Sequence, residues 1–187
     1  MEHKLRHTCR LDTPCLILLV EDERSIASLL SSSVAELEPG CFIIEHVTTL
    51  ADSVAKLQGI KYDAIILDLG LPDSRDISAL FALHKLVADT IPIIVLTGVD
   101  NPELELSCFD VGAKEFVLKP FDPEAFLRLV RHTILRFRNT TKEIDRLKKE
   151  LSIIYKLEEE LEGEPQQLLH GAMQGVMTVV NRLAKGA

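Results

Sequence analysis

The sequence predicts an α/β fold: a doubly wound, five-stranded parallel sheet with helices on both faces, followed by a helical extension. Three observations predict it. Five short apolar runs alternate with stretches of helical periodicity. The runs are continuously apolar rather than alternating, as in strands covered on both faces. The connections between them are short, which leaves parallel strands with crossover helices as the economical arrangement.

In chain order, Cys15-Leu16-Ile17-Leu18-Leu19-Val20 is the first strand and stops at Glu21-Asp22-Glu23. Ile26, Leu29, Leu30, Ser33, Val34 and Leu37 follow at helical spacing until Pro39-Gly40. Phe42 to Val47 is the second strand. Thr49 and Asp52 resemble a capping box that opens a helix through Leu50, Val54 and Leu57 to Gly59. Ala64 to Leu67 is the third strand, ending at Asp68, with a helix from about Ile77 to Val87 after it. Pro92 to Thr97 is the fourth. Asn101-Pro102-Glu103 supplies a cap residue, a proline at the first helical position and an acid in the first turn, and that helix ends at Gly112. Glu115 to Pro120 is the fifth strand. Asp122-Pro123-Glu124 repeats the cap signature and opens a long helix.

Composition narrows the function. At 187 residues with 47% hydrophobic content, the chain has enough apolar mass for one full domain and an appendage. A formal net charge of −8 argues against general binding to a phosphate backbone, and no direct nucleic-acid binding is expected. The cysteines at 9, 15, 41 and 108 form no CxxC pair, which fits a reducing, cytoplasmic compartment. No run approaches the ~20 apolar residues of a membrane span. Residues 1–13 read as a flexible polar tail, with His3, His7 and Cys9 lacking a fourth metal ligand.

Ligands of doubly wound sheets bind at the carboxyl ends of the strands. Here those ends carry Glu21 and Asp22, then Asp68, Thr97 and Lys119. Taken singly, the acids are ordinary caps, Thr97 a strand former and Lys119 a surface charge. Their shared edge points to chemistry. Crowded carboxylates resist ionisation unless a cation joins them. An oxygen-only site with open positions suits Mg²⁺, which keeps waters and binds phosphate. A carboxylate so screened can attack phosphorus and form an acyl phosphate. The Lys119 ammonium and the Thr97 hydroxyl would each take one phosphoryl oxygen, and the small Gly98 leaves room for the group to enter.

Four stretches resemble the motifs of a receiver domain of two-component response regulators, the CheY-like family. They are Leu18-Leu19-Val20-Glu21-Asp22-Glu23, Leu67-Asp68-Leu69-Gly70-Leu71-Pro72-Asp73, Val95-Leu96-Thr97-Gly98 and Phe116-Val117-Leu118-Lys119-Pro120-Phe121. The resemblance covers about Cys15 to Phe137. It implies a flavodoxin-like fold with strand order 2-1-3-4-5. It implies that Asp68 accepts a phosphoryl group from a phosphohistidine of a sensor histidine kinase or phosphotransfer protein. It also implies that Glu21, Asp22, Asp68 and the Gly70 backbone carbonyl hold Mg²⁺, that Thr97 and Phe116 form the switch, and that the Lys119-Pro120 bond is cis. Such a chain catalyses only its own phosphoryl transfer and dephosphorylation. Three positions depart from the family. Asp76 replaces the usual Gly, Gly70 leaves the position two after the acceptor without a side chain, and Phe116 replaces the common Tyr. Asp tolerates positive φ better than most residues but worse than Gly.

The rest of the chain reads as helix. Phe126, Val130, Phe137, Ile144, Leu147, Leu151, Ile154 and Leu161 form a seam spaced by threes and fours, weakened at Thr133, Thr140 and Glu158. Charged flanks around such a seam predict a coiled coil over 138–162, after a receiver over 14–137, and a parallel homodimer through it. The plainer reading is one solvated helix held by i,i+4 ion pairs. Gly163 and Pro165 break the helix. Leu169, Met173, Val176, Val180 and Leu183 then define a second one over 163–187, which folds back on the coil or extends a bundle. His170 is a phosphotransfer histidine or an ordinary surface one. Two other function classes compete. An aspartyl-nucleophile phosphohydrolase of the dehalogenase type carries an Asp where this chain has Gly70. A pseudo-receiver that only binds partners does not need all of Glu21, Asp22, Asp68, Thr97 and Lys119. The sequence also admits a fragment of a larger hybrid kinase or regulator.

Overall fold

The computed structural model describes residues 13–159 and 164–186. The tail residues His3, His7 and Cys9, and Leu161 of the seam, lie outside the described residues. In chain order the elements are β1 (Cys15–Val20), α1 (Arg24–Leu37), β2 (Phe42–Val47), α2 (Leu50–Leu57), β3 (Ala64–Asp68), β4 (Gly70–Leu71), β5 (Ser74–Arg75), α3 (Ser78–Val87), β6 (Ile93–Thr97), α4 (Pro102–Val111), β7 (Glu115–Leu118), α5 (Pro123–Glu159) and α6 (Glu164–Gly186). The chain divides into two compact units after Ile134.

The first unit is built on a parallel sheet of order β2-β1-β3-β6-β7. It is the flavodoxin-like order that the resemblance implies. β1 pairs on both edges, Val20 lying opposite Val47 on one side and Leu67 on the other. The strand order therefore turns between β1 and β3. Leu18, Val20, Ile65, Leu67, Ile93 and Val95 share a buried cluster with Leu80, Leu83 and Val87 of α3 and Cys108 of α4, and Leu50, Val54 and Leu57 of α2 pack against it. The intervening Ile17, Leu19, Ile66 and Ile94 are equally buried and point to the other face. That double burial is why the strands read as unbroken apolar runs. Leu30 and Val34 of α1 and Phe126, Leu127 and Val130 of α5 are also buried. Arg131 and Glu38 join these two helices through an ion pair at 2.8 Å.

The starts of α2, α4 and α5 follow capping residues. Thr49 accepts a hydrogen bond from the Asp52 amide, and Asn101 accepts from the amides of Glu103 and Leu104. Asp122 accepts from the Ala125 amide at 2.7 Å. α2 ends at Leu57, two residues before the expected Gly59. β7 ends at Leu118, so Lys119 stands just past the strand, and the Lys119–Pro120 bond is cis. One feature was not expected. After Asp68 the chain makes a small antiparallel hairpin, with Gly70 opposite Arg75 and Leu71 opposite Ser74, turning at Pro72 and Asp73. Asp76, just after it, has φ 60°, the left-handed conformation that the family's usual Gly reaches freely.

The second unit holds the rest of α5 and α6. Ile144 and Leu151 of α5 are buried with Met173 and Val180 of α6, flanked by Leu147, Ile154, Val176, Met177 and Leu183. The seam expected to face a second copy is therefore covered by α6 of the same chain, the fold-back reading of the second helix. α5 also runs without interruption across 137 and 138, where the receiver was expected to give way to the coil. Thr133, a weak position of the seam, is buried in the first unit and donates to Glu115 at 3.0 Å. No described helix is long and apolar enough to cross a membrane.

Candidate functional site

Glu21, Asp68, Thr97 and Lys119 lie at the carboxyl edge of the sheet or one residue beyond it, Asp22 and Gly70 lie two residues past β1 and β3, and Phe116 stands within β7. β1 delivers Glu21 and Asp22 as it leaves the sheet, and β3 ends on Asp68 next to it. β6 ends on Thr97, and Lys119 follows β7. The Lys119 amide donates to the Thr97 carbonyl at 2.8 Å, which fixes the start of that loop.

Carboxylate oxygens of Glu21, Asp22 and Asp68 lie within 4.8 Å of one another. Lys119 Nζ stands among them, 2.7 Å from Glu21 Oε2, 3.2 Å from Asp68 Oδ2 and 3.7 Å from Glu23 Oε1. One ammonium thus faces several acids, and the cluster keeps an excess of negative charge. Glu21 is fully buried. Burial pushes its pKa up to about 7, with the Asp68 charge adding and Lys119 opposing. Burial alone would pull Lys119 down, but the Glu21 and Asp68 carboxylates outweigh it and hold the ammonium above its ordinary range.

The acids of the site suit a small divalent cation. Glu21 Oε1 accepts from Lys119 at 2.9 Å, while the buried Oε2 has no directed hydrogen bond despite the nearby ammonium. Orphaned buried oxygens are costly. Asp22, exposed beside them, adds a carboxylate open to solvent. An all-oxygen set with solvent access fits Mg²⁺ better than a softer metal.

Asp68 is buried except for its edge on the site, and its Oδ1 accepts from the Gly70 amide at 3.1 Å. A Cβ added at Gly70 would stand in van der Waals contact with the carboxylate, 3.4 Å from Asp68 Oδ2. Gly98, by contrast, has nothing within 4 Å of where its Cβ would stand. Thr97 is buried and its hydroxyl accepts from the Val99 amide at 3.2 Å. Phe116 lies opposite Val95 in the sheet and packs, half-buried, on the same cluster as Val95. Two residues back along β6 from Thr97, Val95 points to the same face, so Thr97 and Phe116 share a side of the sheet.

Two contributors were missed. His46 Nε2 is 2.7 Å from the Glu21 carbonyl and pins the exit of β1. Asp73 reaches α2, accepting from the Leu50 amide at 2.9 Å and the Ala51 amide at 3.0 Å. Both stood inside segments assigned only to strand or loop. An Asp after Pro in a turn was the one available signal for the second. His170 is exposed on α6, with its Nε2 3.4 Å from Gln174 Nε2.

The sheet order, the acid cluster and the buried lysine define a receiver. The family model for the response regulator receiver domain matches residues 17–131, and the chain belongs to that family. It is similar to the swarming motility regulation protein RssB of Serratia marcescens, 37% identical over 114 residues, covering 60% of this chain and 50% of that protein. It is also similar to the transcriptional regulatory protein BasR of Escherichia coli, 29% identical over 123 residues, covering 66% and 54%. The chain thus spans about half the length of these relatives. Among solved structures it resembles the signal receiver domain of a putative Luxo repressor protein from Vibrio parahaemolyticus. That match has TM-score 0.60 and 28% identity, covering 67% of this chain and 93% of that one.

Proposed function

We propose that the chain is a working phosphoryl acceptor in two-component signalling, with Asp68 taking the group from a phosphohistidine of a sensor kinase or phosphotransfer protein. The observation that carries this is Lys119 Nζ held between Glu21 and Asp68, because a receiver that only binds partners has no use for a buried ammonium on its acceptor. An oxygen of Asp68 attacks phosphorus, the P–N bond breaks, and the imidazole leaves with the electron pair. Lys119 neutralises one equatorial oxygen and the Thr97 hydroxyl donates to another. Glu21, Asp22, Asp68 and the Gly70 carbonyl would hold Mg²⁺, which would neutralise charge on the acids and the incoming group. Gly70 leaves the phosphohydrolase reading without its general acid.

Thr97 and Phe116 then serve as the switch, drawn together across one face of the sheet. The two helices beyond residue 134 carry the response onward, and the name of BasR makes transcriptional output one candidate. A soluble cytoplasmic setting fits such a donor. A homodimer would meet through the outer faces of α5 and α6, since α6 covers the α5 seam and leaves Ile153, Tyr155 and Val179 exposed. The test is intact-mass spectrometry after incubation with acetyl phosphate. One base-labile phosphoryl adduct should form with Mg²⁺, and none with chelator or in Asp68→Asn. An adduct that persists in Asp68→Asn would move the acceptor elsewhere.

A further inference from the structure

The hairpin of β4 and β5 carries Gly70, whose carbonyl the reading above gives to the metal. Its base is anchored, because Leu71 is fully buried. Its tip, Pro72 and Asp73, is exposed and has no such anchor. The Asp73 carboxylate instead spans to α2, one oxygen on the Leu50 amide and the other on the Ala51 amide. These residues lie 23 and 22 positions apart in sequence. α2 already has a local cap in Thr49, which takes the Asp52 amide. The first two free amides of the helix are left for the loop. Their partial positive charge favours a carboxylate. In keeping with a carboxylate held there, burial pushes Asp73 up but the Ala51 and Leu50 amides bring it below the usual range.

We propose that Asp73 is a positioning residue for phosphoryl transfer: by strapping the hairpin tip to α2, it holds the Gly70 carbonyl where the metal needs it. This rests on the receiver reading of Asp68. Asp73 touches neither the acids nor the reacting group. Its effect should appear in metal affinity rather than in the chemistry once metal is bound.

The experiment titrates Mg²⁺ against the rate of phosphorylation by acetyl phosphate in the full chain, comparing wild type with Asp73→Ala, Asp73→Asn and Thr49→Ala. Outer partners of metal ligands typically tune affinity by about tenfold or more, so Asp73→Ala should raise the half-saturating Mg²⁺ about tenfold while changing the saturated rate by less than about twofold. Asp73→Asn, which keeps one acceptor oxygen, should fall between. Thr49→Ala removes the neighbouring cap without touching the loop. It should lower the melting temperature and leave the Mg²⁺ requirement unchanged. An unchanged requirement in Asp73→Ala, or an equal shift in Thr49→Ala, overturns the proposal. If the wild type accepts no phosphoryl group, the receiver reading fails by itself. The strap is then judged by the rise in melting temperature that Mg²⁺ induces, which Asp73→Ala should blunt and Thr49→Ala should keep. An equal rise in Asp73→Ala, or no rise even in wild type, overturns it.

Discussion

Lys119 and Glu21, 98 positions apart in sequence, form the most buried ion pair of the site at 2.7 Å. Removing one partner of such a pair leaves the other charge stranded. A broken buried pair costs about 3–5 kcal/mol, but Glu21 can take up a proton, and we expect Lys119→Ala to cost roughly 2 kcal/mol at neutral pH without metal. Mg²⁺ should restore part of it. Urea denaturation with and without Mg²⁺ measures both. Wild-type stability in the metal-free variant would show that the pair contributes nothing.

The pH dependence follows from Glu21. Its carboxyl is raised from 4.5 unfolded to about 7 folded. Between those values the folded chain holds a proton that the unfolded chain has lost, so the metal-free protein should lose stability as pH rises through that window. Mg²⁺ must displace the same proton. The rise in melting temperature on adding Mg²⁺ should therefore be larger at about pH 8 than at about pH 5.5, by thermal denaturation in matched buffers. An equal rise at both would exclude Glu21 from the metal site.

Gly112 is fixed by two independent constraints. It sits at φ +124°, and a Cβ there would come within 2.4 Å of His84 Nε2. Gly112→Ala should destabilise by about 2–3 kcal/mol from strain plus clash. Adding His84→Ala should recover only the steric part. Full recovery in the double variant, measured by chemical denaturation, would show that backbone conformation costs nothing there.

The covered seam changes the expected assembly. If chains meet through the outer faces of α5 and α6, Ile153→Lys with Val179→Lys should shift the full chain toward monomer in light scattering. A chain that is monomeric at all concentrations, with and without phosphorylation, would remove the dimer altogether.

The interior of the sheet was legible because β1, β3 and β6 are covered on both faces, so Ile17 to Val20 and Ile93 to Leu96 read as unbroken apolar runs, whereas the edge strands β2 and β7 are only partly covered. The site was legible because Glu21, Asp68 and Lys119 stop those runs abruptly with charge. Asp73 and His46 were not legible as contributors. Their partners are backbone groups, the amides of Leu50 and Ala51 and the carbonyl of Glu21, which leave no side-chain pattern to read. The coil seam misled for a related reason. A stripe of Ile144, Leu147, Leu151 and Ile154 states that something apolar must cover it, and a helix of the same chain meets that requirement as well as a second copy does.

The strand order has a consequence for how the protein is made. β1 leaves the ribosome before the other strands yet lies inside the sheet, between β2 and β3. Its edge toward β2 closes early, but its other edge stays unpaired until Ala64 to Leu67 has been synthesised. The acids meet as soon as β3 docks, whereas the counter-charge of Lys119 arrives only after the edge strand β7. Such non-local pairings are slow to form and leave apolar edges exposed meanwhile. A nascent chain holding Glu21, Asp22 and Asp68 but not yet Lys119 carries the repulsion of the finished site without its remedy.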